Sequence, residues 1–211
     1  MAHLAVSLLG PPQATYDGQP LTGFESAKVW ALFAYLLVEA DRPHPREALM
    51  ALLWPEQPDA VARHNLRQAL ANLRQVLGDR NHEPPFLHIT RAAVQFDVAA
   101  CELDVATFTA RLTLAERHPH RDADACAPCA RWLRQAVALY RGPFLVHIYV
   151  RESVTFEEWV TLKREALHQQ ALDALARLAR YEQRRGEAGA AAAGCGACWS
   201  SIRSTRGRTA R

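Results

Sequence analysis

The sequence predicts a mainly α-helical protein with small β-sheets, and three observations carry this prediction. Short alternating segments near the N-terminus predict strands, as does a pair of apolar segments between Phe86 and Phe96. Between these two groups, apolar residues recur at helical spacing in three consecutive segments. After residue 98 the chain has helical periodicity up to about Arg185.

The first predicted element is a small antiparallel sheet from about Leu4 to Leu21. Leu4, Val6 and Leu8 alternate with small residues, which is typical of a strand buried on one face. The Asp-Gly pair at positions 17–18 is a strong hairpin signal.

Two helices are predicted next. Ser26 is suited to accept a backbone hydrogen bond as the N-cap of the first, and Pro43 lies beyond its end. Pro45 stands near the start of the second, which Trp54 and Pro55 end.

A third helix is predicted from Ala62 to Leu77, with Asp59 as its N-cap and Gly78 as its C-cap glycine. Its leucines step by four, three and four residues, so they share one face. The leucines are Leu66, Leu70, Leu73 and Leu77; opposite them lie His64, Gln68, Ala71 and Gln75, with Arg63, Arg67 and Arg74 on one flank and Asn65 and Asn72 on the other.

A hairpin follows, formed by the segments "FLHIT" and "AVQFD" around Arg91 and Ala92. Two helices joined by a tight loop and followed by a hairpin is the arrangement of a winged helix-turn-helix. In that motif the later helix enters the major groove of DNA, where arginine and amide side chains reach phosphates and base edges. Taken alone, the third helix is better explained as an amphipathic core helix with a solvated arginine edge. The context favours a recognition helix, with a wing whose tip lies near Arg91.

Charge and composition limit the classes of function. The formal net charge is +3, but residues 180–211 hold seven arginines and two glutamates, so residues 1–179 have a net charge of −2. Net charge therefore gives no argument for nucleic-acid binding. No apolar run approaches the roughly 20 residues of a membrane span, and the N-terminus lacks the features of a signal peptide, so we expect a cytoplasmic protein without membrane contact. No phosphate-binding loop or hydrolase motif is present, so we predict no enzyme activity, no catalytic residues and no cofactor.

One cluster of histidines and cysteines raises the question of a metal. His118 and His120 precede the pair Cys126-x-x-Cys129, and together they could supply four zinc ligands. Against this, the cysteines begin a helix whose buried face needs small residues. Buried or reducible thiols therefore rank above zinc, and no metal ligand is predicted. The more distant pair Cys195 and Cys198 does not complete a second convincing set.

Several segments resemble a known family. "LLGPPQATYDGQPL", "SAKVWALFAYLLVEADRPHPREALMALLWPEQPDAVARHNLRQALANLRQVLGD" and "ELDVATF" are similar to bacterial transcriptional regulators of the streptomycete antibiotic regulatory protein type. The first region resembles the OmpR-type winged helix. The region from about Glu102 to Gly186, with "ALYRGPFL" and "SVTFEEWVTLKREAL", resembles the bacterial transcriptional activator domain, a tetratricopeptide-like helical array.

The resemblance implies a winged helix-turn-helix over residues 1–98 and a partial activator domain over residues 102–186. It also implies double-stranded DNA as a partner, with RNA polymerase and a second copy of the chain as further candidates. The implied DNA-binding residues are Arg63, His64, Asn65, Arg67, Gln68, Asn72, Arg74 and Arg91. The arginines are assigned mainly to phosphates and His64 and Gln68 to base edges, while Asn65 could equally be structural. A protein-interaction adaptor that does not bind DNA remains the alternative.

The tail from residue 187 to 211 loses helical periodicity. One interpretation is a flexible basic tail that touches DNA. The preferred hypothesis is a slip of the reading frame shortly after Gly186. Codons exist for Cys198–Ala210 that give "LELDPLHEGAHR" when read one base earlier, and this resembles the repeat expected next in the family.

Overall fold

The computed structural model describes residues 3–79, 82–120 and 122–186, and these form two compact units. Among the described residues, the first unit comprises residues 3–8, 12–79, 82–103 and 147–162, and the second comprises residues 9–11, 104–120, 122–146 and 163–186. The predicted fold class is confirmed: a winged helix-turn-helix with small sheets is followed by a helical domain. The tail from residue 187 to 211, and with it the hypothesis of a frame slip, lies outside the described residues.

The first unit begins with the predicted antiparallel sheet. Its strands are β1 (Leu4–Ser7), β2 (Gln13–Tyr16) and β3 (Gln19–Pro20). Asp17 and Gly18 both have positive φ, 49° and 77°, as a two-residue hairpin turn of the primed type requires. The turn prediction is therefore confirmed.

Three helices follow. They are α1 (Ala27–Val38), α2 (Arg46–Leu53) and α3 (Asp59–Val76), and α3 packs against both others. The Ser26 side chain accepts a hydrogen bond from the Val29 amide, which confirms that cap. Gly78, at φ 62°, follows the end of α3 as predicted.

The predicted cap of α3 is wrong. Pro58 holds the N-cap position, and no side chain caps the helix there. Asp59 is instead the first helical residue, where its carboxylate faces the positive end of the helix dipole. The extended backbone of Pro58, at φ −54° and ψ 144°, begins the helix one residue earlier than the cap prediction allows.

The predicted hairpin forms the core of a second sheet. Strand β4 (His44–Pro45), which the sequence did not reveal, pairs with β6 (Ala93–Phe96), and β6 pairs with β5 (Leu87–Ile89). Both pairings are antiparallel. Strand β7 (Cys101–Leu103) then joins the N-terminal sheet parallel to β1, which the sequence also did not reveal.

Residues 147–162 complete the first unit, although they lie far along the chain from the winged helix. Ser153 is fully buried, and its hydroxyl bonds the carbonyl of Leu52 at the end of α2. The Trp159 ring packs edge-on against Tyr35 of α1, with ring centroids 5.1 Å apart, and its indole N–H donates to the Glu39 carboxylate at 3.0 Å. The segment is therefore anchored on α1 and α2 by both apolar and polar contacts.

The second unit is helical. It contains α4 (Asp104–Arg117), α5 (Ala127–Leu139) and residues 163–184 of α6 (Val154–Arg184), and α4 packs closely on α5. Its core is made of small and large apolar side chains, including Phe108, Leu133, Ala136 and Ala174. Among the described residues, no helix has both the length and the hydropathy that crossing a bilayer requires.

Candidate nucleic-acid interface

Helix α3 has one buried face and one exposed face, as its leucine spacing predicts. Leu66 and Leu73 are fully buried, and Leu70 is 3% exposed. These side chains fix the rotation of the helix because turning it would bring them into water, at roughly 1.5–3 kcal/mol each. The opposite face is therefore held outward.

Four of the predicted DNA-binding side chains lie on this exposed side: Arg63, His64, Arg67 and Gln68. We call these four residues the outer face of α3. Within the described parts of the chain, no hydrogen bond or ion pair engages them. They span about 7.5 Å of helix at 1.5 Å per residue, so one ligand can contact all four.

The charge of α3 favours an anionic ligand. Asp59 is its one acidic residue, at the N-terminus, whereas Arg63, Arg67 and Arg74 are spread along its length. Two of these arginines, Arg63 and Arg67, belong to the outer face. A local positive surface therefore exists although residues 1–179 as a whole are close to neutral.

Asn72 does not belong to this surface, contrary to its predicted place among the DNA-binding residues. The side chain is 6% exposed. Its Nδ2 donates to the Gly23 carbonyl at 3.0 Å, and its Oδ1 accepts from the Glu25 amide at 3.2 Å. The amide therefore joins α3 to the segment before α1, and its burial keeps it away from the exposed side of the helix. The other flanking amide, Asn65, is half-buried.

Arg74 also has a partner inside the unit. Its Nε donates to the Oδ2 of Asp79 at 3.1 Å, and the Asp79 side chain is fully buried. The Oδ1 of the same carboxylate accepts from the Leu87 amide of β5 at 3.1 Å. Arg74 therefore neutralises a buried carboxylate that ties α3 to the wing, rather than standing ready for a phosphate.

Arg91 is exposed at the turn between β5 and β6, where the wing prediction placed it. The hydroxyl of Thr90 organises this turn by accepting from the amides of Ala92 and Ala93 at 3.2 and 2.9 Å. Arg46, at the start of α2, grips the same turn. Its backbone amide donates to the Ala92 carbonyl and its guanidinium donates to the Thr90 carbonyl at 3.2 Å.

Sequence reasoning missed Arg46, Thr90 and Asp79. A threonine next to a hairpin turn is a known signal for side-chain to backbone bonding, so Thr90 could have been found. Arg46 and Asp79 act across 44 and 8 residues of sequence, respectively, and no local pattern marks them.

Comparisons with known proteins match both units. Residues 25–93 match the family described as the C-terminal region of transcriptional regulatory proteins, and residues 103–201 match the bacterial transcriptional activator domain. The transcriptional regulatory proteins EmbR of Mycobacterium bovis and of Mycobacterium tuberculosis are 32% identical over 144 residues, which is 68% of this chain and 36% of each relative. The chain thus spans about a third of the length of these curated relatives.

A solved structure is also similar. It is Mycobacterium tuberculosis EmbR in complex with a low-affinity phosphopeptide, with a TM-score of 0.70 and 28% sequence identity. The similarity covers 92% of this chain and 49% of that one.

Proposed function

Because this chain belongs to the bacterial regulators that join an OmpR-like winged helix to a bacterial transcriptional activator domain, we propose that it binds double-stranded DNA sequence-specifically and activates transcription. The observation that carries the proposal is the outer face of α3, which is exposed, partly cationic and free of partners among the described residues. It acts by binding rather than by catalysis.

The recognition helix enters the major groove, whose width of about 12 Å admits an α-helix. Arg63 and Arg67 contact phosphates on the rim of the groove, and His64 and Gln68 face the base edges. Arg91 at the tip of the wing follows the neighbouring backbone. This division follows from side-chain chemistry, because guanidinium groups pair with phosphate and amides match the donor and acceptor pattern of a base.

The helical unit supplies protein contacts, with RNA polymerase or a second copy of this chain as the partner. The three arginines directed at phosphates, Arg63, Arg67 and Arg91, give one winged helix only modest affinity for DNA at physiological salt. Joining two such winged helices would raise the effective concentration of the second at its half-site, without any new contact to DNA.

The first experiment measures the salt dependence of binding to sheared genomic DNA. Each lost phosphate contact should reduce the slope of log K against log salt by about 0.9. We therefore expect Arg67→Ala to weaken binding and flatten the slope by about one. Arg131→Ala removes the same charge from an exposed site on α5 and is the matched control, with no change expected.

The outcomes separate DNA binding from an adaptor role. If wild-type protein shows no salt-dependent binding to DNA, the adaptor alternative replaces this proposal. If wild type binds but Arg67→Ala keeps the full slope, Arg67 leaves the contact set while the function stands. Selection from a random duplex pool then tests specificity, and the wild type should enrich a defined motif.

A further inference from the structure

A cluster of two histidines and two cysteines lies in the second unit, where α4 ends and α5 begins. One ligand atom from each of His118, His120, Cys126 and Cys129 can be chosen so that all four lie within 4.8 Å of one another. We propose that these four residues bind one Zn²⁺ ion in a closed, tetrahedral structural site. From the sequence alone, buried or reducible thiols rank above a zinc site at these positions.

The distances fit the coordination sphere of zinc. Zn–S bonds of about 2.3 Å and Zn–N bonds of about 2.0 Å at tetrahedral angles place a sulfur and a nitrogen about 3.5 Å apart. The Cys126 Sγ lies 3.5 Å from the Nδ1 of His118, and the Cys129 Sγ lies 3.7 Å from the Nδ1 of His120. Two edges of the tetrahedron are thus already formed. The others need about 3.4 to 3.8 Å, which small side-chain rotations reach from separations of at most 4.8 Å.

The backbone explains why these side chains converge. Helix α4 ends at Arg117, immediately before His118, and α5 begins immediately after Cys126. Cys129 lies in the first turn of α5, three residues after Cys126, so both sulfurs project on one side of the helix start. The Cys129 thiol also contacts the Ala115 carbonyl of α4 at 3.6 Å, which holds the two helix ends together.

The connection that carries the histidines is held from a second direction. Asp122 pairs with Arg184, and Asp124 pairs with Arg180 at 3.2 Å, both arginines lying on α6. These ion pairs engage the two carboxylates of the connection itself, and the groups that converge are two thiolates and two imidazoles. Such a soft, four-membered set selects Zn²⁺ over hard cations such as Mg²⁺ and Ca²⁺.

The site is structural because it leaves no coordination position open. Four protein ligands complete the tetrahedron, whereas a catalytic zinc keeps one position for water. Binding exchanges two S–H bonds for two Zn–S bonds and releases two protons. The ion would cross-link the end of α4 to the start of α5, a connection in which the described residues form only a single short 3-10 turn, Ala123–Ala125.

The experiment loads the full chain, stripped with a chelator under reducing conditions, with Zn²⁺ or Co²⁺. We expect one ion per chain, the release of two protons, and thiolate-to-Co²⁺ charge-transfer and tetrahedral d–d absorption. Trp132 lies edge-on to His118 with ring centroids 5.3 Å apart, so its fluorescence should also report loading. At a free Zn²⁺ concentration about 1,000 times Kd, Tm should rise by roughly 10 °C.

Three variants test the assignment. His120 is exposed, so His120→Ala should fold normally and lower the affinity for Zn²⁺ at least tenfold. Cys126→Ser should do the same and remove part of the thiolate absorption. The double variant Cys195→Ser/Cys198→Ser removes the other Cys-x-x-Cys pair and should leave stoichiometry and affinity unchanged.

Three outcomes would overturn the proposal. They are wild-type protein that binds no ion, His120→Ala protein that binds as tightly as wild type, and binding that disappears in the Cys195/Cys198 double variant. A Cys126–Cys129 disulfide in freshly purified protein, with no ion bound after reduction, would identify a redox pair instead.

Discussion

Asn72→Ala is the substitution that best separates the structural residues of α3 from those proposed to face DNA. Asn72 and Gln68 are amide-bearing side chains one helical turn apart, yet Asn72 is buried and bonded whereas Gln68 is exposed. Both were predicted from the sequence as DNA-binding residues. Their substitution should now have opposite effects.

The magnitude follows from the two hydrogen bonds of Asn72. Each contributes about 1 kcal/mol, and the freed groups belong to the exposed residues Gly23 and Glu25, so water can replace the lost partner. Alanine has a better helix propensity than asparagine and offsets about 0.5 kcal/mol. The net loss is about 1.5 kcal/mol, which corresponds to a fall in Tm of roughly 3–6 °C for a chain of this length.

Thermal unfolding followed by circular dichroism measures the first effect, and duplex binding well below Tm measures the second. We expect Asn72→Ala to lower Tm while keeping the selected DNA motif and its affinity. Gln68→Ala should keep Tm within about 1 °C, because exposed substitutions change stability by less than about 0.5 kcal/mol. It should, however, relax base preference at one position, at a cost of about 1–3 kcal/mol in discrimination.

The opposite pattern would refute the reasoning. If Asn72→Ala keeps the Tm of wild type and loses its base preference, the amide reads DNA and the hydrogen bonds to Gly23 and Glu25 are not what holds it.

Two further predictions concern stability. Arg74→Ala should lower the free energy of unfolding, measured in urea, by about 2 kcal/mol. It leaves the buried Asp79 carboxylate without its cation, and the loss stays modest because the Arg74 side chain is 38% exposed. Adding Asp79→Asn should recover part of the loss, whereas an unchanged unfolding midpoint for Arg74→Ala would mean that the pair contributes nothing. Burial chiefly raises the pKa of Tyr140 from 10.0 to about 12, against the opposing charge of Arg164. The unfolded chain therefore ionises first, so the stabilising contribution of this tyrosine is intact below about pH 10 and is lost as pH rises towards 12. Wild type should lose stability faster than Tyr140→Phe over that interval, and parallel pH profiles would contradict the assignment.

Local patterns predicted the helices and the turns of the first unit well. The prediction of α3 from its leucine spacing was correct because the apolar face extends over more residues than the usual error in placing a helix end. The cap at Ser26 and the Asp17-Gly18 turn were correct because their chemistry is decided within three residues.

The features that sequence could not supply depend on contacts between distant parts of the chain. Strand β4 has two residues, too few to express an alternation, and it exists because it pairs with β6 some 50 residues later. Strand β7 exists because it pairs with β1. Asn72 was placed on the correct flank of α3, but its partners Gly23 and Glu25 lie 49 and 47 residues away. Helical periodicity gives the direction of a side chain and cannot reveal what covers it.

The histidine and cysteine cluster is a second case in which the sequence pattern was visible but its role was not. The spacing of His118, His120, Cys126 and Cys129 was visible in the sequence, but spacing alone could not distinguish ligands from small residues on a helix face. Only the observed separations of 3.5 and 3.7 Å between sulfur and nitrogen favour ligation.

The anchoring of residues 147–162 on α1 and α2 has a consequence for modularity. The two matched families meet near residue 100, a boundary at which the winged helix could be separated from the rest of the chain. Such a fragment would lack Ser153 and Trp159, and the surfaces of Leu52 and Tyr35 that they cover would meet water. During synthesis on the ribosome, the winged helix likewise cannot reach its final packing until some sixty further residues have been made. Transfer of the winged helix between genes would therefore require that the segment of residues 147–162 be transferred with it.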